Sequence, residues 1–389
     1  MNPIKRLFSA LMRRAAFAIS LLFPIDRKKI VVSSYYGRGY GDNPKYIVSK
    51  LLDVSDCLTI IWLIKDESEK ESLPLGVKSC RINSLKCFYH LATAKVWIDN
   101  CRKTFLLKRK KQLYVQTWHG FALKRIEKDV ENKLKPSYLR MAKHDSLYID
   151  LIISDSAFMT GIYQNSFWYK GKIAEWGAPR NDFLISNNIE ISEHVYRYFQ
   201  LNKTVKIVMY APTFRADGGV DTYTIDYIRL KKACEKRFGG EFVVFVRLHP
   251  NILEKSKDIP FDNIQIFNAS YYPDMQELLA STDVLVSDYS SLMFDYALTE
   301  KPCFQFAVDI EAYKGDRNFY FSLDRLPFDL SVDNNELEKN ILNFNLEKYL
   351  NKLNTFWSSV GMIRSGKSSN RCAEYILQYL KSGNKEINL

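Results

Sequence analysis

The sequence predicts an α/β protein with two doubly wound domains, and three observations lead to this fold class. A chain of 389 residues can bury a large core and suggests two domains rather than one. Short apolar runs alternate with helical stretches along the whole chain. These runs are nearly continuous in Val, Ile and Leu, which is typical of strands buried on both faces of a parallel sheet.

The predicted strands form two groups along the chain. The strands of the first group are 29–34, 58–64, 94–99, 113–117, 150–155 and 172–177. Those of the second group are 206–213, 241–250, 263–267, 283–288 and 302–306. The polar, Asn-rich segment from Ser186 to Lys203 predicts a helical linker between the two groups. Because doubly wound domains bind ligands outside the carboxyl ends of their strands, residues just after each strand are the candidate site residues.

The N-terminal segment predicts a basic amphipathic helix over residues 1–27 that lies on a membrane surface. Apolar residues recur there at helical spacing, while Lys5, Arg6 and Arg13 fall on the opposite face. The apolar run from Ala15 to Phe23 is shorter than the roughly 20 residues that span a bilayer. A signal peptide is a rival interpretation, although no small-residue cleavage site follows. A surface helix packed on the domain is another.

Composition narrows the classes of partner and of site chemistry. A formal net charge of +12 indicates an anionic partner, which could be a nucleic acid, a membrane leaflet or a phosphorylated substrate. Seven scattered cysteines predict neither a zinc site nor a disulfide framework and fit a reducing cytoplasm. Five dispersed histidines do not suggest a metal cluster, so we predict no metal ligands and leave a divalent cation open.

Three motifs of the first half place polar residues after predicted strands. The loop "GRGYGDN" supplies Gly39, Asp42 and Asn43 before a helix, which is typical of an anion or substrate-binding turn. The stretch 113–126, with "QTWHG" at its centre, begins as a strand, and we expect it to end as a basic helix. A neutral imidazole at His119 could take a proton from an alcohol. "GAPRND" adds Arg180 after a third strand.

The second half contributes three further motifs. In "VRLHPN", Arg247 and His249 alternate, so we expect both to point to one side of a strand end as a phosphate clamp. "YAPTFR" adds Thr213 and Arg215 after another strand. "DYSS" supplies Asp288 followed by two serines at a helix start, where backbone N–H groups can cradle an anion. This set of groups suits phosphoryl transfer, and we do not predict a P-loop enzyme.

Taken in order, these motifs resemble the CDP-glycerol glycerophosphotransferase family, which includes teichoic acid primases and polymerases, and the resemblance extends from about Ile30 onward. It implies a GT-B-like pair of Rossmann-type domains with parallel sheets facing a central cleft. An acceptor domain would occupy 28–190 and a CDP-donor domain 200–375. The implied reaction moves a polyol phosphate from CDP-glycerol or CDP-ribitol to a hydroxyl group of a lipid-linked glycan acceptor and releases CMP. The implied place is the cytoplasmic face of the cell membrane, where the protein would be peripheral.

The resemblance also assigns roles to residues. His119 would be the base on the acceptor hydroxyl, and His249 would bind the donor pyrophosphate together with Arg247. Ser290 and Ser291 would hold donor phosphates, and Asp295 would face the donor polyol. The other expected donor-binding residues are Trp118, Gly120, Arg180, Pro212, Thr213 and Asp288. The expected acceptor-binding residues are Gly39, Asp42, Asn43 and Lys124.

Several alternatives remain open at this point. The transferred unit could be ribitol phosphate instead of glycerol phosphate, because Phe121 and Ala122 stand where relatives often have Thr-Pro. A GT-B glycosyltransferase that uses a sugar nucleotide would share the fold. A nucleic-acid-binding protein would explain the charge, but no RNP-like or basic-helix reader occurs in the sequence, so we expect no nucleic acid partner.

Overall fold

The computed structural model describes residues 3–103, 107–186, 189–213, 224–248, 265–310 and 319–385, with the backbone alone for 3–11 and 189–191. The chain divides into two compact units. Unit 1 comprises Met1–His119, Glu127–Asp182 and Ser365–Leu389. Unit 2 comprises Gly120–Ile126 and Phe183–Arg364.

Unit 1 is built on a seven-stranded sheet in which every neighbouring pair of strands is parallel. Its strand order is β3-β2-β1-β4-β5-β6-β7, the Rossmann-type arrangement in which the winding direction reverses between β1 and β4. The strands are β1 (Asp26–Ser33), β2 (Thr59–Ile64), β3 (Val77–Arg81), β4 (Ala94–Asp99), β5 (Leu113–Gln116), β6 (Leu151–Ser154) and β7 (Lys172–Glu175).

Unit 2 repeats this architecture with six parallel strands in the order β10-β9-β8-β11-β12-β13. Its winding direction reverses between β8 and β11. The strands are β8 (Lys206–Ala211), β9 (Phe242–Val246), β10 (Ile266–Asn268), β11 (Val284–Ser287), β12 (Cys303–Phe306) and β13 (Asp329–Ser331). The fold class is therefore confirmed as α/β with two Rossmann-type parallel sheets, a GT-B-like architecture.

Helices connect the strands in both units. The α-helices of the described residues are α1 (Pro3–Ser20), α2 (Asp42–Val54), α3 (Leu85–Thr93), α4 (Pro136–Ser146), α5 (Ala157–Ser166), α6 (Asp182–Ser186), α7 (Ile189–Tyr198), α8 (Tyr227–Phe238), α9 (Met275–Ser281), α10 (Leu292–Ala297), α11 (Asn334–Leu342), α12 (Leu346–Val360) and α13 (Ser368–Ser382). Short 3-10 helices cover Glu67–Ser72, Glu127–Lys133, Pro179–Asn181, Ala269–Tyr271 and Leu323–Arg325. Many begin at a side chain that caps the first turn, as Ser156 does for α5 by accepting from Met159 N.

The C-terminal helix α13 packs against α2 of unit 1. Its residues Cys372, Ile376 and Tyr379 lie in the apolar core formed with β1, β2 and β4. The carboxylate of Asp182 accepts bonds from the amides of Ser368 and Ser369, which fixes the start of this helix. The range 200–375 expected for the second domain therefore includes residues that the structure places in unit 1.

At the N-terminus, α1 packs on α3, where Phe17 meets Phe88 edge to face. Met12, Ile19, Leu22 and Phe23 remain exposed. Within the described part of the chain, every helix is too short or too polar to cross a membrane. Whether α1 lies on a membrane stays a prediction.

The structure corrects the expectation of a basic helix after "WHG". Residues 120–126 form no helix, and Lys124 forms an isolated antiparallel bridge with Phe319. The amide of Tyr320 also donates to the carbonyl of Leu123 at 2.9 Å. These contacts within unit 2 pair Leu123 and Lys124 with residues far along the chain, in place of the helix that the local sequence favours.

Candidate functional site

The first group of candidate residues lies at the carboxyl ends of β1, β4 and β5 in unit 1, beside the switch point of the sheet. The loop after β1 contains Gly37, whose φ of +83° is in the left-handed region. A Cβ at this position would lie 3.0 Å from the amide nitrogen of Lys65, so the close approach requires glycine. The expected acceptor residue Gly39 donates to Glu69 Oε2 at 2.9 Å and accepts from the indole of Trp62 at 3.2 Å.

Asp42 and Arg180 form a buried ion pair in this group. Nη1 of Arg180 lies 2.8 Å from Oδ2 of Asp42, and both side chains are about 95% buried, at 5% and 4% exposure. The same Nη1 donates to the carbonyl of His119 at 2.9 Å. The hydroxyl of Tyr35 also donates to Asp42 Oδ2. The pair therefore joins the start of α2, the segment after β7 and the "WHG" turn.

Asn43 provides a second link between the same three segments. Its side-chain Nδ2 donates to the carbonyl of Trp118 at 3.1 Å. Its Oδ1 accepts from the backbone amide of Arg180 at 3.1 Å. One buried amide thus fixes the backbone on which His119 stands, which is a positioning role.

The "WHG" turn has a left-handed residue at Trp118, where φ is +51°. The amide of Trp118 donates to Oε1 of Gln116 at 2.9 Å, which supports this backbone conformation. The indole is nearly buried and stacks on the imidazole of His119, with 4.3 Å between ring centroids. The ring of His119 is therefore held on one face by packing.

The protonation state of His119 follows from its contacts. Its Nδ1 lies 2.6 Å from the carbonyl oxygen of Asn100. Because a carbonyl can only accept, Nδ1 carries the proton and Nε2 carries the lone pair in the neutral ring. Burial lowers the pKa of His119 below 6.5, against smaller raising effects of the Asn100 carbonyl and the Asp42 carboxylate. The imidazole is neutral at pH 7 and can accept a proton at Nε2.

Asn100, which sequence reasoning missed, connects two of these loops. Its Oδ1 accepts from the amide of Tyr35 at 2.8 Å, and its Nδ2 donates to Ser34 Oγ at 3.2 Å. Its carbonyl orients His119. The position could have been identified from the sequence, because Asn100 directly follows the run 94–99, as polar residues follow the other strands.

A buried cluster of charged side chains lies in the same unit. Arg102 lies 3.1 Å from Glu127 and 3.4 Å from Asp145, and all three side chains are almost fully buried. Burial raises the pKa of Asp145 to about 6, although Arg102 acts in the opposite direction. The guanidinium of Arg102 also lies 4.6 Å from the ring centroid of Phe167. Sequence reasoning missed this cluster as well, since its members are far apart in the chain.

In unit 2, Asp288 and Thr213 meet across the switch point between β8 and β11. The amide of Thr213 donates to both carboxylate oxygens of Asp288, at 2.9 and 3.0 Å, and its hydroxyl donates to Oδ1 at 2.5 Å. Pro212, just before, is buried. Asp288 thus holds the loop after β8 in place, and Gln305 Nε2 in turn donates to the Asp288 carbonyl at 3.1 Å.

Ser290 and Ser291 follow directly and are half-buried. They precede α10, and two amides of its first turn donate to these serines. Leu292 N donates to Ser290 Oγ at 3.3 Å, and Phe294 N donates to the carbonyl oxygen of Ser291 at 3.1 Å. Asp295 lies inside this helix, is buried, and accepts from Gln276 Nε2 at 3.2 Å.

Arg247 lies just beyond the end of β9, which stops at Val246. Its Nη1 donates to the carbonyls of Ala269, Ser270 and Tyr272 at 2.6 to 2.8 Å. Burial lowers the pKa of this guanidinium to about 10, so it stays charged at neutral pH.

The remaining predicted site residues and the metal prediction complete the comparison with the sequence. His249 and Arg215 lie outside the described residues, so the phosphate clamp of Arg247 with His249 stays a prediction. Gly120 and Lys124 belong to the segment 120–126 of unit 2. In the ranges that the structure describes, no group of three or more His, Cys, Asp or Glu side chains is arranged to hold a metal ion.

Comparisons with known proteins agree with these features. A family model described as CDP-Glycerol:Poly(glycerophosphate) glycerophosphotransferase matches residues 15–378. The chain is 31% identical over 373 residues to a teichoic acid poly(glycerol phosphate) polymerase from Staphylococcus epidermidis, covering 92% of this chain and 51% of that protein. It is 28% identical to a teichoic acid glycerol-phosphate transferase from Staphylococcus aureus, covering 97% and 99%. The solved structure of the wall teichoic acid polymerase TagF superposes with a TM-score of 0.82 at 28% identity, covering 98% and 99%. The chain thus spans about half the length of the first of these relatives and nearly all of the second.

Proposed function

The chain belongs to the CDP-glycerol:poly(glycerophosphate) glycerophosphotransferase family, and we propose that it transfers glycerol phosphate from CDP-glycerol to a hydroxyl group of a teichoic acid acceptor. The acceptor oxygen attacks the phosphorus atom that carries glycerol. The bond from this phosphorus to the bridging oxygen breaks, and CMP leaves with the electron pair. The names of two relatives favour glycerol phosphate as the transferred unit.

His119 is the base that takes the proton from the acceptor hydroxyl. The observation that carries this assignment is the bond from Nδ1 to the carbonyl of Asn100, because it leaves the lone pair on Nε2. The lowered pKa keeps the ring ready to accept a proton at neutral pH. A base of this kind contributes roughly 10²- to 10⁴-fold to a rate.

Asp42, Asn43, Trp118 and Arg180 act as positioning residues in this proposal. Their contacts fix the backbone and ring of His119, while their own polar groups are largely engaged with one another. This supports unit 1 as the part that receives the acceptor. In this proposal Arg180 and Trp118, which the resemblance assigned to donor binding, instead hold the base in position.

The donor is assigned to unit 2. The hydroxyl groups of Ser290 and Ser291 are half-exposed at the carboxyl end of β11 and are suited to phosphate oxygens. Thr213 and Asp288 shape the neighbouring loop. Each well-placed donor that stabilises charge in the transition state contributes about 3–4 kcal/mol. Arg247 and His249 would add positive charge or hydrogen bonds on the same diphosphate.

The acceptor is lipid-linked in this proposal, and the protein works as a peripheral enzyme at the cytoplasmic face of the membrane. The apolar side chains that α1 and the following turn leave exposed support this location, together with the net charge of +12. Ile19→Asp with Leu22→Asp should reduce sedimentation with vesicles of anionic phospholipid. Leu75→Asp is the matched control, because Leu75 is fully exposed at a distant position in the chain. Equal sedimentation of the wild type, the double variant and the control would contradict the proposed membrane location.

The reaction is tested by measuring CMP release from CDP-glycerol with a synthetic acceptor. His119→Asn should lower kcat by at least 10²-fold and leave the Kd for CDP-glycerol within about threefold. His194→Asn, at a surface histidine with 58% side-chain exposure, is the matched control and should keep full activity. Normal turnover of the His119 variant would contradict the assignment of the base.

A donor panel separates the remaining alternatives. CDP-ribitol, offered in place of CDP-glycerol, identifies the ribitol-phosphate enzyme if it is the faster donor. Nucleotide release from a UDP-sugar, with none from either CDP-polyol, would identify a glycosyltransferase and refute the proposal.

A further inference from the structure

Two consecutive tyrosines beside His119 hold an unfavourable backbone conformation. Tyr35 and Tyr36 have φ of +43° and +59°, in the left-handed region that residues with side chains avoid. The conformation is enforced by the Asn100 side chain, which accepts from the amide of Tyr35, and by bonds from the amides of Gly37 and Arg38 to the carbonyl of Ser34. Such conformations persist where the surroundings over-determine them, and they cluster at functional sites.

Two aromatic side chains are exposed on this loop, and the ring of the first lies next to the base. Tyr35 is 39% exposed and its ring centroid lies 5.7 Å from that of His119. Tyr36 is 44% exposed. The hydroxyl of Tyr35 is bound to Asp42, whereas that of Tyr36 has no hydrogen-bond partner among the described residues. Tyr36 therefore contributes nothing to the local hydrogen bonding that would account for its strain.

We propose that Tyr35 and Tyr36 form an aromatic platform that binds the sugar ring at the end of the acceptor and so selects an acceptor that ends in a sugar. This rests on the proposed function, in which His119 receives a proton from the acceptor hydroxyl. A pyranose presents a flat face of C–H bonds that packs on an aromatic ring, and the amphipathic tyrosine ring leaves sugar hydroxyls free to reach water or the base. A terminal glycerol phosphate is too small and too charged to use such a surface.

The charges around the platform favour a neutral ligand. The phenol of Tyr36 has its pKa raised by partial burial and then by Cys101, Asp99, Asp145 and Glu127. Three carboxylates are thus among the groups with the largest effects on this phenol. An acceptor end that carries a phosphodiester would meet less favourable electrostatics here than an uncharged sugar would.

The test uses two acceptors with the full-length enzyme: an alkyl glycoside of a neutral disaccharide, and the same glycoside extended by one glycerol phosphate unit. Tyr36→Ala should raise the KM for the disaccharide glycoside about tenfold, which corresponds to about 1.4 kcal/mol. The KM for CDP-glycerol should stay within twofold. Tyr36→Phe retains the ring and should keep the acceptor KM within about threefold of the wild type. The extended glycoside should be the poorer acceptor for the wild type and should be affected less by Tyr36→Ala.

A glycine substitution separates binding from a structural role. Tyr36→Gly removes the ring and relieves the backbone strain, so the Tm should stay equal or rise while the acceptor KM rises as in Tyr36→Ala. Gln200→Gly is the matched control, because Gln200 also has a left-handed φ of +55° and is exposed in unit 2. It should retain or raise the Tm without changing the acceptor KM.

Three results would overturn the platform: an unchanged acceptor KM in Tyr36→Ala, an equal loss in Tyr36→Phe, or a lower Tm in Tyr36→Gly. If the wild type releases no CMP from CDP-glycerol, the proposed function is wrong, whatever the outcome for the platform. The platform is then decided by direct binding of the disaccharide glycoside, measured by calorimetry on the wild type and Tyr36→Ala. Equal binding by both proteins would refute it.

Discussion

Removing one partner of the buried pair of Asp42 and Arg180 should destabilise unit 1 by about 3–5 kcal/mol. The pair is 2.8 Å apart and almost fully buried, so Asp42→Asn leaves the guanidinium without its counter-charge in a site that water cannot reach. Asn is the suitable replacement, because φ at this position is +59° and Asn tolerates the left-handed region. For a domain of 150–250 residues, this loss lowers the Tm by roughly 6–20 °C.

The partner substitution is Arg180→Met, which keeps much of the side-chain volume and removes the charge. It also removes the bond to the carbonyl of His119, so CMP release should fall beyond what the lost stability explains at a temperature where the variant is folded. The double variant should be more stable than the sum of the two single losses predicts, because it buries no unpaired charge.

Chemical denaturation of the wild type and the three variants completes a double-mutant cycle. The expected coupling is at least about 1 kcal/mol. If the single losses add to the double loss within about 0.5 kcal/mol, the two groups do not interact energetically and the role of the pair in supporting His119 is wrong. A Tm of Asp42→Asn equal to that of the wild type would lead to the same conclusion.

Three further outcomes are expected. First, because the pKa of His119 is lowered, the acidic limb of kcat/KM for CMP release should have its midpoint below pH 6.5. The unfolded ring takes a proton before the folded one, so this group's contribution to stability is full above about pH 6.5 and is lost as pH falls through the folded pKa, which denaturation at several pH values measures. Second, Gly37→Ala should lower stability by more than about 1 kcal/mol, because the added Cβ meets backbone at 3.0 Å, whereas Gly41→Ala meets nothing within 4 Å and serves as the control in thermal unfolding. Third, Asp288→Asn should raise the Kd for CDP-glycerol by roughly tenfold, since the Thr213 loop loses its charged acceptor, and titration calorimetry measures this; an unchanged Kd would separate that loop from the donor.

The strands were predictable where the sequence offers a continuous apolar run. The runs at 94–99 and 206–213 each contain the strand that the structure shows, and the run at 29–34 overlaps β1, which begins earlier, at Asp26. The strands that were missed, β3 and β13, lie at sheet edges and read as "VKSCR" and "DLS", because an edge strand needs no long apolar run. Their formation depends on pairing with β2 and β12, which a local pattern does not reveal.

The candidate site was predictable as a set of positions but not as a set of contacts. The rule that ligands lie beyond strand ends identified Asp42, His119 and Arg180 separately. The bond between Asp42 and Arg180 joins residues 138 positions apart, and its geometry depends on the order of the strands in the sheet. Asn100 was missed for a related reason, since its main contribution to His119 is a backbone carbonyl, which any residue type supplies.

The placement of α13 has a consequence for the order in which the chain can fold during synthesis. Residues of α13, including Ile376 and Tyr379, complete an apolar core whose members outside this helix come from the first 176 residues. The ribosome must therefore translate all of unit 2 before this core can close. Until then, the nascent unit 1 exposes apolar surface to which a chaperone can bind. A premature stop codon near residue 365 would remove α13 and would therefore destabilise unit 1, the part of the protein that is synthesised first, more than unit 2.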